Sequence, residues 1–191
     1  MAETIETRPF PPFLPKKATV MMMGTFPPEQ SKRAMEFHYP NFQNDMWRVF
    51  GLVFFDEKDH FRNGEEKAMD PEKIKAFLSE AGIASCPTVL KAIREKENAS
   101  DAFLKVVEPV PLADVLEQIP DCKHIGTTGG KATEILLSLL PEKVKLPKTG
   151  ETIPFVFNGR ELTLTRLPST SRAYPLSLPK KAEAYKNFFK A

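Results

Sequence analysis

Cysteine is scarce in this chain: Cys86 and Cys122 are the only two among 191 residues. Two thiols are too few for a disulfide framework, a four-cysteine metal centre or a cysteine-held iron–sulfur cluster, and a reducing cytoplasm is the expected compartment. Histidine is nearly as rare. His38, His60 and His124 match no zinc spacing, with or without the cysteines, so neither metal nor other cofactor is expected. Long apolar runs are missing too; none approaches ~18 residues, so no transmembrane helix and no membrane partner are expected. The first residues, MAETIETRPFPPF, carry acids early and lack an apolar core, unlike a secretory signal. No Gly-x-Ser-x-Gly elbow occurs, which argues against a serine hydrolase. Glycine is half as frequent as proline, 9 against 18, which points to fixed loops rather than flexible linkers.

What is present suits one soluble globular domain. Hydrophobic residues make up 41% and charged residues 27%, ordinary for a chain that buries a core. Residues 1–15 are proline-rich and read as an extended N-terminal arm, leaving 16–191 as the domain. Ala18–Met23 is apolar at strand length without alternation, as in a strand buried on both faces. Met46, Val49, Phe50 and Val53 share a helical face, with Asn44 at the N-cap. A polar loop over 56–70 leads to a helix opened by Asp70-Pro71 and stopped at Gly82. Residues 88–97 and 111–119 also read as helices. His124–Thr128 reads as a short strand feeding a helix through Ile135 and Leu136. Asn158-Gly159 marks a hairpin across 153–167. The final amphipathic helix covers 178–190. Strands alternating with helices predict a single three-layer α/β/α domain around a central, mainly parallel sheet.

The net charge of +2 is unevenly spread. Residues 161–191 hold six basic groups (Arg166, Arg172, Lys180, Lys181, Lys186, Lys190) against Glu161 and Glu183, so the remaining 160 residues sum to −2. Basic charge beside a Pro-Ser loop suits a phosphate-backbone partner, although charge alone favours a solvated helix face.

Two loops stand out, each following a strand-like run: Gly24-Thr25-Phe26-Pro27-Pro28-Glu29-Gln30-Ser31 and Leu167-Pro168-Ser169-Thr170-Ser171-Arg172-Ala173-Tyr174. Such loops can open side by side at one edge of a parallel sheet, where α/β proteins place their chemistry. Between them, Phe37–Trp47 packs aromatics, amides and a carboxylate before a helix. An amide there can hold a water while an aromatic ring stacks on a flat ligand; alternatively Asn44 caps the helix and the rings are core. Gly129-Gly130-Lys131 invites a phosphate-loop reading, but Ile125 and Ala132 stand where that loop needs Gly and Ser or Thr.

Taken in order, these motifs resemble the uracil-DNA glycosylase superfamily, nearest to its hypoxanthine and mismatch-specific uracil/thymine branches. Gly24–Ser31 resembles the first family motif and Leu167–Ala173 the second. Tyr39 stands at the base-stacking aromatic, Asn44–Trp47 matches Asn-x-Phe-Trp, Ala99-Ser100-Asp101 resembles Gly-Ser-x-Asp, and Ile125–Ala132 resembles the strand and Gly-Lys turn. The resemblance runs from about residue 18 to the end. Phe26 departs from the mismatch branch's catalytic Asn, Leu167 from the histidine of the efficient uracil enzymes, and Pro28 from the usual Gly; Ser171-Arg172 replace an apolar wedge.

The resemblance implies a monofunctional enzyme that flips a deaminated or mismatched base from DNA and hydrolyses its N-glycosidic bond. It implies Asn44 as the water-positioning residue with Asp45 as helper carboxylate, and Thr25, Phe26 and Tyr39 as base-binding. Ser31, Ser169, Thr170, Ser171, Arg172 and Lys181 would contact DNA. Lacking the histidine, the enzyme would be slower and broader in substrate. A non-catalytic DNA-binding relative, a nucleoside or nucleotide hydrolase and a metabolite-binding module are the competing readings.

Overall fold

The computed structural model describes residues 3–95 and 104–190; Ala99-Ser100-Asp101 lies outside them. The central sheet has five strands: β2 (Val20–Met23), β3 (Ile83–Ser85), β6 (His124–Thr128), β7 (Thr152–Phe157) and β8 (Arg160–Leu167). Their order is β3-β2-β6-β8-β7; the first four run parallel and β7 antiparallel to β8. Helices α1 (Met46–Phe55), α2 (Pro71–Ala81) and α5 (Leu178–Lys190) cover one face, and α3 (Leu112–Glu117) and α4 (Gly130–Ser138) the other. The expected three-layer α/β/α architecture is therefore present.

β2 explains the layering. Met21 and Met23 pack into the core beneath α3 and α4, while Met22 packs with Trp47, Phe50, Tyr185 and Phe188 on the opposite face. Alternate side chains enter alternate layers, so both are apolar and the strand shows no polar period. Asp70 caps α2 by accepting from the Glu72 and Lys73 N–H groups, and Gly82 ends it at φ 72°. Asn158 (φ 49°) and Gly159 (φ 78°) make the tight turn between β7 and β8.

A second sheet was not foreseen. β1 (Ile5–Thr7), β4 (Val89–Arg94) and β5 (Leu104–Pro109) form it, in the antiparallel order β1-β4-β5. Within the N-terminal segment, Ile5–Thr7 is thus paired as a strand with β4. Of the helix read at 88–97, Val89–Arg94 is instead a strand, and 96–97 lie outside the described residues. Val89, Ala92 and Ile93 are buried, a spacing that imitates a helical face. The register of β4 against β5 shifts around Lys91, and the bulge breaks the period of two that would have marked a strand. The helix read at 111–119 is present as α3.

Candidate active site

The carboxyl ends of β2, β6 and β8 open into one cavity of about 670 Å³. β2 sends its chain toward β3 on one side, while β6 lies on the other, so the cavity sits where the strand order changes direction. Gly24–Pro28 forms one wall and Ser169–Pro175 another. The segment 38–44 closes the third side through His38, Tyr39, Asn41, Gln43 and Asn44. The two motif loops thus meet at one edge of the sheet.

Tyr39 adopts a left-handed φ of 54°. Its hydroxyl lies 3.1 Å from Thr128 Oγ1 at the end of β6, and its ring meets Trp47 edge-on at 6.0 Å. Gly24 permits this placement: a Cβ there would stand 2.5 Å from the Tyr39 hydroxyl. Asn44 lines the cavity, and its Oδ1 accepts from the N–H of Met46, the first residue of α1, at 2.9 Å; the N-cap position itself is Asp45, one residue later than expected. Its Nδ2 has no partner among the described residues. The bond at the start of α1 and the place in the cavity wall coexist, since the bond uses only the amide oxygen.

The first loop is braced from the second sheet. Arg94 of β4 pairs with Glu6 of β1 at 3.1 Å and donates to the Pro27 carbonyl at 3.1 Å. Arg33 donates to the Pro28 carbonyl at 2.9 Å. Thr25 and Phe26 line the cavity, and the Gly24 and Thr25 carbonyls are occupied by Thr88 and Val89 N–H groups. Ser31 is exposed on a single helical turn, Gln30–Lys32, and does not line the cavity.

The second loop is fixed from beneath. Tyr185 Oη donates to the Pro168 carbonyl at 2.8 Å, and burial raises its hydroxyl pKa well above the usual tyrosine value. Lys181 Nζ donates to the Ser171 carbonyl at 2.9 Å and to Asp45 Oδ2 at 3.1 Å. Asp45 N–H in turn donates to the Thr170 carbonyl at 2.9 Å. Arg172 donates through Nη2 to Asp45 Oδ1 at 3.1 Å and through Nη1 to Gln43 Oε1 at 3.0 Å. Arg48 completes the cluster, 3.7 Å from Asp45 Oδ1.

These contacts correct three expectations. Lys181 is 1% exposed and cannot reach a DNA phosphate; it is an internal cation. Asp45 is buried behind the cavity wall with both oxygens held by cations, so it is not a free helper carboxylate. Thr170 is buried and serves through its carbonyl and as wall. By contrast Arg172 has a half-exposed side chain on the cavity rim, with Ser169 and Ser171 beside it.

His38 and Ser85 were not singled out as site residues, although both line the cavity. Ser85 ends β3, a strand too short to be read from its three residues. His38 Nε2 lies 2.9 Å from the Pro11 carbonyl and Nδ1 2.6 Å from Ser85 Oγ. Burial pushes His38 down to about 4; the Pro11 carbonyl acts against this, and Arg8 and Lys75 add to it. Neither thiol serves the site as a nucleophile, because burial pushes both Cys86 and Cys122 up to about 11. Among the described residues no cluster of His, Cys, Asp and Glu can hold a metal ion, and no helix is long and apolar enough to cross a membrane.

No protein-family model matches the chain, nor does any curated sequence. Among solved structures it is similar to a solution NMR structure from Methanosarcina acetivorans, named "putative Uracil DNA glycosylase". The match covers 98% of this chain and 100% of the other, at 21% identity and a TM-score of 0.64. The chain has a uracil DNA glycosylase-like fold. At that identity the likeness concerns the path of the backbone; what the cavity does is argued from its own residues.

Proposed function

We propose that this chain is a DNA glycosylase that takes a deaminated or mismatched base, uracil or hypoxanthine, out of the helix and hydrolyses its N-glycosidic bond. The observation that carries this reading is the convergence of both Pro-Ser loops, Tyr39 and Asn44 on one cavity at the carboxyl ends of β2, β6 and β8. Its volume of about 670 Å³ is ample for a flipped nucleotide with part of its backbone.

A base inside the stack is out of reach, so the enzyme extrudes it at a cost of a few kcal/mol, least for a mismatched or damaged pair. Tyr39, held by Thr128 and Trp47, offers a ring face for the extruded base. The Phe26 N–H, at the start of the first loop, donates to a carbonyl of the base. Cleavage builds positive character on the sugar and negative charge on the departing base. Asn44 Nδ2 holds the attacking water through the water's lone pair, leaving its protons free to depart toward solvent or the released base. Fixed N–H dipoles stabilise the leaving anion without reorganising. Ser169, Ser171 and Arg172 hold the flanking phosphates.

Asp45 and Lys181 act one step back. Their pair, with the Asp45–Thr170 backbone bond, ties the start of α1 to the second loop, fixing Asn44 relative to Arg172. The test is incubation with labelled duplexes carrying uracil, hypoxanthine, xanthine or a thymine mismatch, followed by alkaline cleavage of abasic sites. The reading expects strand breaks at uracil or hypoxanthine. Intact strands in all four, with DNA still bound, would instead identify a non-catalytic DNA-binding relative.

A further inference from the structure

The orientation of one buried proton bears on which base the cavity accepts. A carbonyl oxygen can only accept, so His38 Nε2 must carry the hydrogen that meets Pro11 O. A neutral imidazole has one N–H, which leaves Nδ1 as an acceptor. Ser85 Oγ, 2.6 Å from Nδ1, must therefore be the donor. Its single proton is then committed to His38, and its remaining lone pairs are what it can offer to the cavity it lines.

We propose that Ser85, oriented by His38, is a specificity-determining acceptor that selects bases presenting a ring N–H. The inference rests on the reading of this cavity as a base pocket. Hydrolytic deamination turns a ring nitrogen of cytosine or adenine from an acceptor into the N–H donor of uracil or hypoxanthine. A hydroxyl fixed as an acceptor bonds the deaminated base and meets the parent base lone pair to lone pair. The site is built to hold the proton in place. Ser85 is 3% exposed and His38 5%. The His38 ring stacks on Phe37 at 4.6 Å and 12°. The Ser85 backbone is itself fixed, exchanging both hydrogen bonds with Phe13 of the arm at 2.9 and 2.8 Å. Burial also holds His38 neutral down to about pH 4, so the relay keeps one direction across the physiological range. His38 here is a positioning residue acting through Ser85.

The experiment measures binding of duplexes carrying 2′-fluoro-2′-deoxyuridine or 2′-fluoro-2′-deoxycytidine, analogues that resist cleavage, each opposite an abasic site so that no pairing partner biases extrusion. The wild-type protein is expected to prefer the uracil duplex by ~10-fold or more, as a pocket does when the wrong ligand leaves a buried polar group mispaired. Ser85→Ala should abolish most of that preference, and Ser85→Thr, which keeps the hydroxyl, should retain it. His38→Phe should also erode it, because a freed Ser85 hydroxyl can turn its proton toward cytosine. Circular dichroism identifies which variants fold; if His38→Phe does not, the Ser85 pair decides. Equal binding of both duplexes by the wild type, or a preference that survives Ser85→Ala, overturns the relay. If neither a natural deoxyuridine nor a deoxyinosine duplex is cleaved while the Ser85-dependent preference persists, the glycosylase reading falls and the relay stands.

Discussion

Lys181 and Asp45 form a buried ion pair at 3.1 Å that links the last helix to the start of α1, with side chains 1% and 8% exposed. Removing one member of such a pair strands the other charge, whereas removing both is far less costly. Asp45→Asn leaves Lys181 buried without its carboxylate and is therefore expected to lower stability by ~3 kcal/mol, which for a domain of this size is ~10 °C in melting temperature, whereas Lys181→Met leaves Asp45 to Arg172 and Arg48 and should cost less. Asp45→Asn combined with Lys181→Met should recover part of the loss. Thermal melts of the two single variants and the double variant check this; additive losses would contradict the pairing.

The salt dependence of DNA binding should divide the C-terminal cations by their exposure. Arg172→Ala is expected to weaken duplex binding and flatten the dependence of log K on log salt by ~1, the loss of one phosphate contact. Lys181 is internal, so it should not carry a share of the slope. Fluorescence anisotropy between low and physiological salt measures it, and an unchanged slope in Arg172→Ala would make that side chain a spectator.

Acid should destabilise the protein through His38. Its folded-state value is depressed to about 4 from the ordinary 6.5. Between these values the unfolded chain binds a proton that the folded chain refuses, so stability rises with pH across this window. The contribution is complete above pH 6.5 and is lost as pH falls toward 4, on the order of 3 kcal/mol in all. Urea titrations from pH 7 to 4 should show a loss that His38→Gln reduces.

The sequence was most informative where local chemistry decides structure. Asp70-Pro71, Gly82 and Asn158-Gly159 mark their boundaries because a cap, a left-handed stop and a tight turn need those residue types. β3 was missed because three residues carry no period, and β4 was misread because its bulge placed buried residues at helical spacing. Within the site, the loops and Tyr39 were legible as motifs. The roles of Lys181, Asp45, His38 and Ser85 were not, because each depends on a partner 47 to 136 residues away. A basic residue on an amphipathic helix reads as solvent-facing until the fold shows the carboxylate buried beneath it.

Base release by Asn44→Ala tests the central claim most directly. Single-turnover rates at saturating enzyme, on a uracil or hypoxanthine duplex, should fall by on the order of 10²-fold or more, as when one positioned polar group is lost from a transition state. Losing the bond from Met46 N–H would by itself cost about 1 kcal/mol of stability and leave the rate of the folded fraction unchanged. Melting temperature measured beside the rate separates the two effects. A variant that melts lower yet releases base at the wild-type rate would show that Asn44 only holds the start of α1, and would contradict the account.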